Sequence, residues 1–582
     1  MRLSGGEGPP PAARDLGELL VRAEGHGSGV TFVSEQEEER FLAWSEVGAR
    51  ARRVAASLEA LGLRPGERVA LVERTGPAFL DAFFGTLAAG AVPVPLYPPL
   101  RLGRMKEYLA STAAMVHAVR ARLILASGAV RRLLGEVLAS ARPELGCLPV
   151  DELARGTRKV MKEARPDDLA LIQFSSGSTA FPKPVALTHR NVLAQLATLL
   201  ELLAPTPEDR LVSWLPLYHD MGLTGCLLGA LAYPGPLVLI APEHFLARPA
   251  IWLRALSRHR GTISAAPSFA YAYTAERVRD RELEGVDLSR WRAALDGAEP
   301  VSAEAVRRFA ARFAPQGFRA EALRPVYGLA EATLAVTFTT QGAPFRSQRI
   351  DPVALASRGE VLDGRREVVS VGVPVPGVEV ELRGQDGESV AERRLGRVFV
   401  RGGSVMSGYY GQEEATRNAL RQGWLDTGDL GFVRDGELYL YGRAKDVVVV
   451  RGANHAPQDL EAPLEEVRGL RRGCAVAVGF EPEGASEELL VLAERRKGAG
   501  DDTSLAEAAK KAILEHTGVR AHTVVLLDPG TLPRTSSGKL RRREALRRYL
   551  GGELSAPPPA RAMTVMLALA RSALGYARTR WR

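Results

Sequence analysis

Leu169-Ala-Leu-Ile-Gln-Phe174 runs without a break into Ser175-Ser-Gly-Ser-Thr-Ala-Phe-Pro-Lys183, and Val185-Ala-Leu-Thr188 follows. The first stretch reads as a buried strand and the last as a second extended segment. Between them lie five small residues, 175–179, of which four carry hydroxyls. Gly177 lets the backbone turn sharply. Small residues allow backbone N–H groups to converge on an anion, hydroxyls add donors, and Lys183 adds charge. The stretch reads as a phosphate-gripping loop between two strands. A solvated Ser/Thr turn is the alternative, and companions elsewhere must decide. No G-x-x-x-x-G-K-[ST] occurs: Gly538-Lys539 is followed by Leu540, and position 533 is proline.

Outward from the loop, short apolar runs alternate with helical stretches. Val69-Ala-Leu-Val72, Val92-Pro-Val-Pro95, Leu123-Ile-Leu-Ala126, Leu237-Val-Leu-Ile240 and Ile263-Ser-Ala-Ala266 read as buried strands. Ala/Leu/Arg-rich segments such as 44–63 and 303–313 read as helices. The alternation predicts an α/β fold with mostly parallel sheets. From about residue 368 the pattern changes to hairpins, with Val378-Glu-Val-Glu-Leu382 alternating cleanly. The segment from 446 to about 550 mixes strands and helices and reads as a small α+β domain. A Pro-rich linker, Ala556-Pro-Pro-Pro559, leads to a tail.

Composition narrows the class. The 582 residues are enough for several domains, and 46% hydrophobic with 25% charged is ordinary for a globular chain. Cys147, Cys226 and Cys474 stand far apart with no C-x-x-C, which argues against a disulfide framework or structural zinc. The Gly/Pro-rich start lacks an apolar signal region, and no run of 18 apolar residues appears, so a cytoplasmic protein is expected. Net charge is +9, much of it in 539–548 (six Lys/Arg against one Glu) and 561–582 (five Arg). With no zinc-finger or RNP pattern, nucleic acid is not expected as a partner. In the tail, Met563, Met566, Leu567, Ala570, Leu574 and Trp581 share one helical face. Packing on the enzyme is the favoured reading. Peripheral attachment of 562–582 to anionic membrane is the other.

Four further segments can carry chemistry: Leu295-Asp-Gly-Ala-Glu-Pro300, Pro325-Val-Tyr-Gly-Leu-Ala-Glu331, Trp424-Leu-Asp-Thr-Gly-Asp429 and Pro533-Arg-Thr-Ser-Ser-Gly-Lys539. Each alone has a plain reading as a turn, core tyrosine, strand cap or solvated basic run. Their order behind the Ser/Gly loop resembles the adenylate-forming superfamily of acyl-CoA synthetases, luciferases and adenylation domains. The resemblance covers 31–550. It is strongest to the fatty acyl-AMP ligases, through Trp214-Leu-Pro-Leu-Tyr-His-Asp-Met-Gly-Leu223, Gly297-Ala-Glu-Pro300, Tyr327-Gly-Leu-Ala-Glu-Ala-Thr333, Arg451-Gly-Ala-Asn-His-Ala-Pro-Gln-Asp459 and a long stretch at 341–371.

The resemblance implies a large adenylation domain at 1–445, built from two α/β subdomains and a β-rich one. It further implies a small mobile lid domain at 446–550 and a linker with a basic tail at 551–582. It implies ATP and Mg²⁺ as cofactors. Ser176, Gly177, Ser178, Thr179 and Lys183 would hold phosphates. Gly297, Ala298 and Glu299 would line the adenine and acyl pocket. Tyr327, with Gly328 beside it, would stack on adenine, and Glu331 would help hold Mg²⁺. Asp429 would bind ribose, assisted by Arg443, and Asp446 would sit at the hinge. Lys539 would reach the carboxylate and α-phosphate. His219 would lie near the acyl pocket; a buried histidine held by Asp220 is an equal reading. In such ligases the stretch corresponding to 341–371 is thought to restrain the small domain and disfavour CoA.

The chemistry agrees: a carboxylate attacking the α-phosphorus of ATP brings anion onto anion, so positioning and charge neutralisation dominate. Pro184, Ala180 and Ala456 depart from the family pattern, and the retained Lys183 leans toward the CoA ligases. The implied activity is ATP-dependent formation of a fatty acyl-AMP with release of pyrophosphate, then transfer to an acyl carrier protein acting in trans. The alternatives are a fatty acyl-CoA ligase and a non-catalytic nucleotide- or acyl-binding homologue. The basic run 541–548 suits an acidic carrier.

Overall fold

A computed structural model describes the chain except for residues 100–103, 154–160, 176–181, 451–452, 483–486, 500, 536–538, 557–568, 570, 574 and 577–582. Its architecture follows the period of the apolar pattern. The short runs with no polar alternation become the central strands of two sheets. In one, Val92–Pro95, Arg68–Val72, Leu123–Ala126 and Cys147–Leu148 pair in that order, all parallel. The other has nine strands. Leu323–Gly328, Ala293–Asp296, Ile263–Ala266, Leu211–Ser213, Leu237–Ile240 and Gly29–Val33 form its parallel body. Antiparallel strands close both edges. Helices cover these sheets. Trp44–Ala60, for example, buries Trp44, Val47, Ala51, Val54 and Leu58 along one stripe.

The alternating segments after 371 form a six-stranded antiparallel sheet of Val378–Arg383, Gly396–Gly402, Trp424–Arg434, Leu420–Arg421, Glu437–Arg443 and Arg2–Ser4. Arg2–Ser4 is a finding the sequence did not announce: three residues of the Gly/Pro-rich start add an edge strand to Val378–Arg383. The stretch 341–371 contains the hairpin Ser347–Ile350 and Arg366–Val369 with the helix Pro352–Arg358. Its Ile350, Leu355, Val361 and Val368 share a core with Phe432, Tyr439, Tyr441 and Ala456.

After 446 a separate core forms. Leu470–Phe480, Glu488–Arg495 and Thr523–Leu527 pair as one sheet, packed by Asp502–Thr517 and Arg542–Leu550. The expected α+β character holds. The fold is α/β with mixed sheets.

Part of the tail packs on the molecule. The Gly135 N–H donates to Ser572 Oγ at 2.7 Å, and the Tyr576 hydroxyl donates to the Arg131 carbonyl at 2.7 Å. A Cβ on Gly135 would fall 1.8 Å from the Ser572 carbonyl oxygen, so the two backbones meet only because Gly135 has no side chain. Of the apolar face read in sequence, Met563, Met566, Leu567, Ala570, Leu574 and Trp581 lie outside the described residues. No described helix is long and apolar enough to cross a membrane.

Candidate active site

The opening loop joins Leu169–Phe174 to Pro184–Thr188, which pair antiparallel with Phe174 opposite Pro184. Its base is pinned. Ser175 N–H donates to the Lys183 carbonyl at 2.9 Å, and Lys183 N–H donates to Ser175 Oγ at 3.2 Å. Pro184 lacks a donor but opens its strand, where the loss is tolerated, and its carbonyl accepts from Tyr410 N–H at 2.8 Å. Thr188 and Asn191 form a capping box that starts the helix His189–Leu203 directly after the second strand. Ser176, Gly177, Ser178, Thr179 and Ala180 lie outside the described residues.

Lys183 points toward Tyr409. Its Nζ lies 4.5 Å from the centre of the Tyr409 ring, and the Tyr409 hydroxyl donates to Glu331 Oε1 at 3.0 Å. Burial and the charge of Lys445 lower the Lys183 pKa, against the pull of Glu331. Burial raises the Glu331 pKa, with the Tyr409 hydrogen bond opposing it. A half-buried carboxyl whose side-chain hydrogen bond is to a phenol keeps an oxygen that a divalent ion could take. Among the described residues no group of three or more His, Cys, Asp and Glu could hold a metal alone. Glu331 therefore fits Mg²⁺ only in the shared manner, one carboxylate with substrate phosphates and water supplying the rest.

A second wall stands at the ends of parallel strands. Gly297, Ala298 and Glu299 follow Ala293–Asp296. A Cβ on Gly297 would meet Val326 Cγ2 at 2.7 Å, and Ala298 holds φ +71°, a left-handed conformation costly for alanine. Tyr327, on the next strand, is buried, and its hydroxyl donates to Asp429 Oδ2 at 2.6 Å. Gly328 crosses so close to its neighbour that a Cβ would sit 1.8 Å from the Leu334 carbonyl oxygen. Asp429 and Arg443 face each other across adjacent strands, Arg443 Nε 3.3 Å from Asp429 Oδ1.

Lys539 arrives from the other side of the site, on a loop pinned by Thr535 N–H to the Lys539 carbonyl (2.7 Å) and Lys539 N–H to Thr535 Oγ1 (3.0 Å). Burial lowers its pKa, while Glu299, Asp220 and Asp429 pull the other way. The ammonium thus lies in the field of three carboxylates from separate elements, with Arg443 opposing them. Burial raises Glu299, whose Oε1 accepts from Phe269 N–H at 2.6 Å. Burial also presses on Asp220, but His219, whose Nδ1 is 2.6 Å away, together with Lys539 holds its pKa below the usual carboxylate range. His219 is thus held by its neighbour, and the pair opens a π-helix, Met221–Leu228, a distortion common at functional sites. Asp446 is nearly buried, with its pKa raised by burial.

Three contributors had no role at the site in the sequence reading. Tyr409, linking Lys183 to Glu331, comes from a two-residue strand, Gly408–Tyr409, with no motif spacing. Asp220 was visible only as a partner of His219. Asp296 is buried, with Oδ2 accepting from Ser268 at 3.0 Å and Oδ1 without a partner among the described residues; burial and Glu299 push its pKa well up. The basic run also changes meaning. Arg542 pairs with Glu461, Arg547 with Glu544 and Glu553, and Arg548 with Glu544 and Glu107. It offers a carrier fewer open charges than its sequence promises.

The pinned base of the Ser175–Lys183 loop, with Lys183 beside the Tyr409 ring and Tyr409 bonded to Glu331, stands with the Tyr327–Asp429–Arg443 chain on an adenylate-forming fold. The chain belongs to the AMP-binding enzyme family, which matches residues 20–410; the AMP domain of the Disco-interacting protein 2-like family matches 445–557. It is 36% identical to a putative acyl-CoA synthetase of Caulobacter vibrioides, over 88% of this chain and 91% of that protein. It is 34% identical to the medium-chain-fatty-acid–[acyl-carrier-protein] ligase JamA of Moorena producens, over 89% and 91%. A solved structure from work on fatty acyl-adenylate ligases of E. coli and L. pneumophila superposes with a TM-score of 0.87 at 35% identity, covering 93% of this chain and 98% of that one.

Proposed function

We propose that this enzyme activates a fatty acid with ATP as acyl-AMP, releasing pyrophosphate, and passes the acyl group to an acyl carrier protein. The observation that carries the reading is the Arg443–Asp429–Tyr327 chain beside the Lys183–Tyr409–Glu331 chain, with Lys539 in the field of Glu299, Asp220 and Asp429. A mobile cation aimed among fixed anions is what an anionic carboxylate and an α-phosphate require when they meet. In this reading Lys183 and the 176–179 backbone grip the phosphates, and Asp429 with Arg443 holds the ribose. Tyr327, Gly297, Ala298 and Gly328 shape the adenine side, and Glu331 contributes to Mg²⁺. His219 orients Asp220 near the acyl end. Residues 1–445 act as the catalytic body and 446–550 as the lid. The names of JamA and the fatty acyl-adenylate ligases support the substrate and carrier.

CoA as acceptor is the second reading, favoured by the retained Lys183 and the similarity to a putative acyl-CoA synthetase. Against it, the 341–371 stretch is tied to the small unit: Arg366 Nε lies 2.5 Å from Asp459 Oδ1, with both side chains largely buried. Incubation with ATP, Mg²⁺ and a fatty-acid panel, with carrier protein or CoA added, separates the readings by product mass. Acylated carrier supports the proposal. Acyl-CoA alone transfers it to the second reading, and no pyrophosphate release rejects both. The docked Ser572 and Tyr576 support packing of the tail; no pelleting with anionic liposomes is expected.

A further inference from the structure

Lys539 lies on a loop of the small unit, so its aim depends on what holds that unit against the large one. The helix Met105–Ala118 of the large unit begins beside this loop. Arg104, immediately before the helix, donates through Nη2 to the Gly530 carbonyl at 3.1 Å and the Thr531 carbonyl at 2.9 Å. Glu107, in its first turn, accepts from both terminal nitrogens of Arg548, at 3.2 and 2.8 Å. Glu107 also lies 3.9 Å from Arg104. Gly530 and Thr531 precede the Lys539 loop, and Arg548 follows it on the helix Arg542–Leu550. The loop closes between them, with Arg541 N–H donating to the Pro533 carbonyl at 2.9 Å and Arg534 bridged to Leu540. One helix end therefore grips the Lys539-bearing segment on both sides.

We infer that Arg104, Glu107 and Arg548 are positioning residues for adenylation: a clasp that holds Gly530, Thr531 and the helix Arg542–Leu550, the two flanks of Lys539, against the helix Met105–Ala118. The inference rests on the proposed adenylation. The geometry separates this pair from an ordinary surface ion pair. Arg548 is only 12% exposed, its guanidinium meets Glu107 with two parallel bonds, and its Nε is fixed by Glu544 at 2.7 Å. Glu107 is 55% exposed, and its partners among the described residues are Arg548 and Arg104, neither of them a site residue, so its loss leaves the described pocket residues in place.

The test uses the full-length enzyme and follows pyrophosphate release with ATP, Mg²⁺ and the fatty acid it accepts. Glu107→Gln and Arg548→Gln should each lower kcat about threefold to tenfold, as one well-formed ion pair allows, with KM for ATP unchanged. The double variant should be no slower than the worse single one. In a Lys539→Ala background Glu107→Gln should change nothing further, because the clasp acts through that lysine. A wild-type rate in Glu107→Gln, or the same fractional loss with and without Lys539, overturns the inference. Hydrogen exchange at 530–541 gives a readout independent of turnover. It should quicken in Glu107→Gln, and unchanged exchange overturns the clasp even if the enzyme proves to catalyse another reaction. Failure of the wild type to release pyrophosphate rejects the adenylation reading instead.

Discussion

Lys539 is a charge held where charge is expensive. Burial favours its neutral form, and the surrounding carboxylates restore only part of the loss, so its pKa lies below that of an ordinary lysine. A lysine must be protonated to neutralise a developing phosphate charge. Adenylation should therefore fall as pH rises through this lowered pKa, earlier than an ordinary lysine would allow. Lys539→Arg should move the alkaline limb of the kcat profile upward in pH; an unmoved limb would assign it to another group. Lys539→Ala should cost about 10²–10³ in adenylation rate, the scale of losing one transition-state donor. Tyr409→Phe removes the hydroxyl from Glu331 yet keeps the ring beneath Lys183. It should raise KM for MgATP several-fold while leaving the fatty-acid KM alone, checked by titrating each substrate.

At the scale of elements, the tie between the 341–371 stretch and the small unit is a titratable contact. Burial raises Asp459 from 3.8 to about 6 despite Arg366 beside it. A carboxyl with a folded-state pKa above its unfolded value gives stability that is full below pH 3.8 and lost as pH rises through about 6. Asp459→Asn should flatten the fall in unfolding free energy across that window, measured by urea titration at stepped pH. Arg366→Ala strands the buried carboxylate and should lower the urea midpoint at pH 7 more than at pH 4. Local patterns predicted much at this scale. Strands such as Leu123–Ala126 and Ile263–Ala266, read as buried from their sequences, are buried at every position, and Thr188 with Asn191 announces its helix. Contacts set by tertiary proximity were hidden. Tyr409, Glu107 and the edge strand Arg2–Ser4 take their meaning from residues scores or hundreds of positions away, and no local spacing encodes that. The basic run misled for the same reason, since the acids that occupy it include Glu107 and Glu461.

At the scale of the molecule, the contacts of the chain after 446 with the rest include the Arg366–Asp459 tie, the Ala456–Tyr441 contact and the Arg104–Glu107–Arg548 cluster, and the tail returns to Gly135. Gly135→Leu puts side-chain atoms where the Ser572 backbone lies and should release the tail. Proteolysis after 556 should quicken while the core resists; unchanged cleavage would show that the docked tail adds no protection. The central claim is that a fatty carboxylate attacks the α-phosphorus of ATP in this site. Supplying a fatty acid labelled with ¹⁸O in its carboxylate, with ATP, Mg²⁺ and an acceptor, tests it directly. Attack at the α-phosphorus predicts AMP carrying one ¹⁸O, with unlabelled pyrophosphate. ADP with labelled inorganic phosphate, or AMP without label, would contradict it.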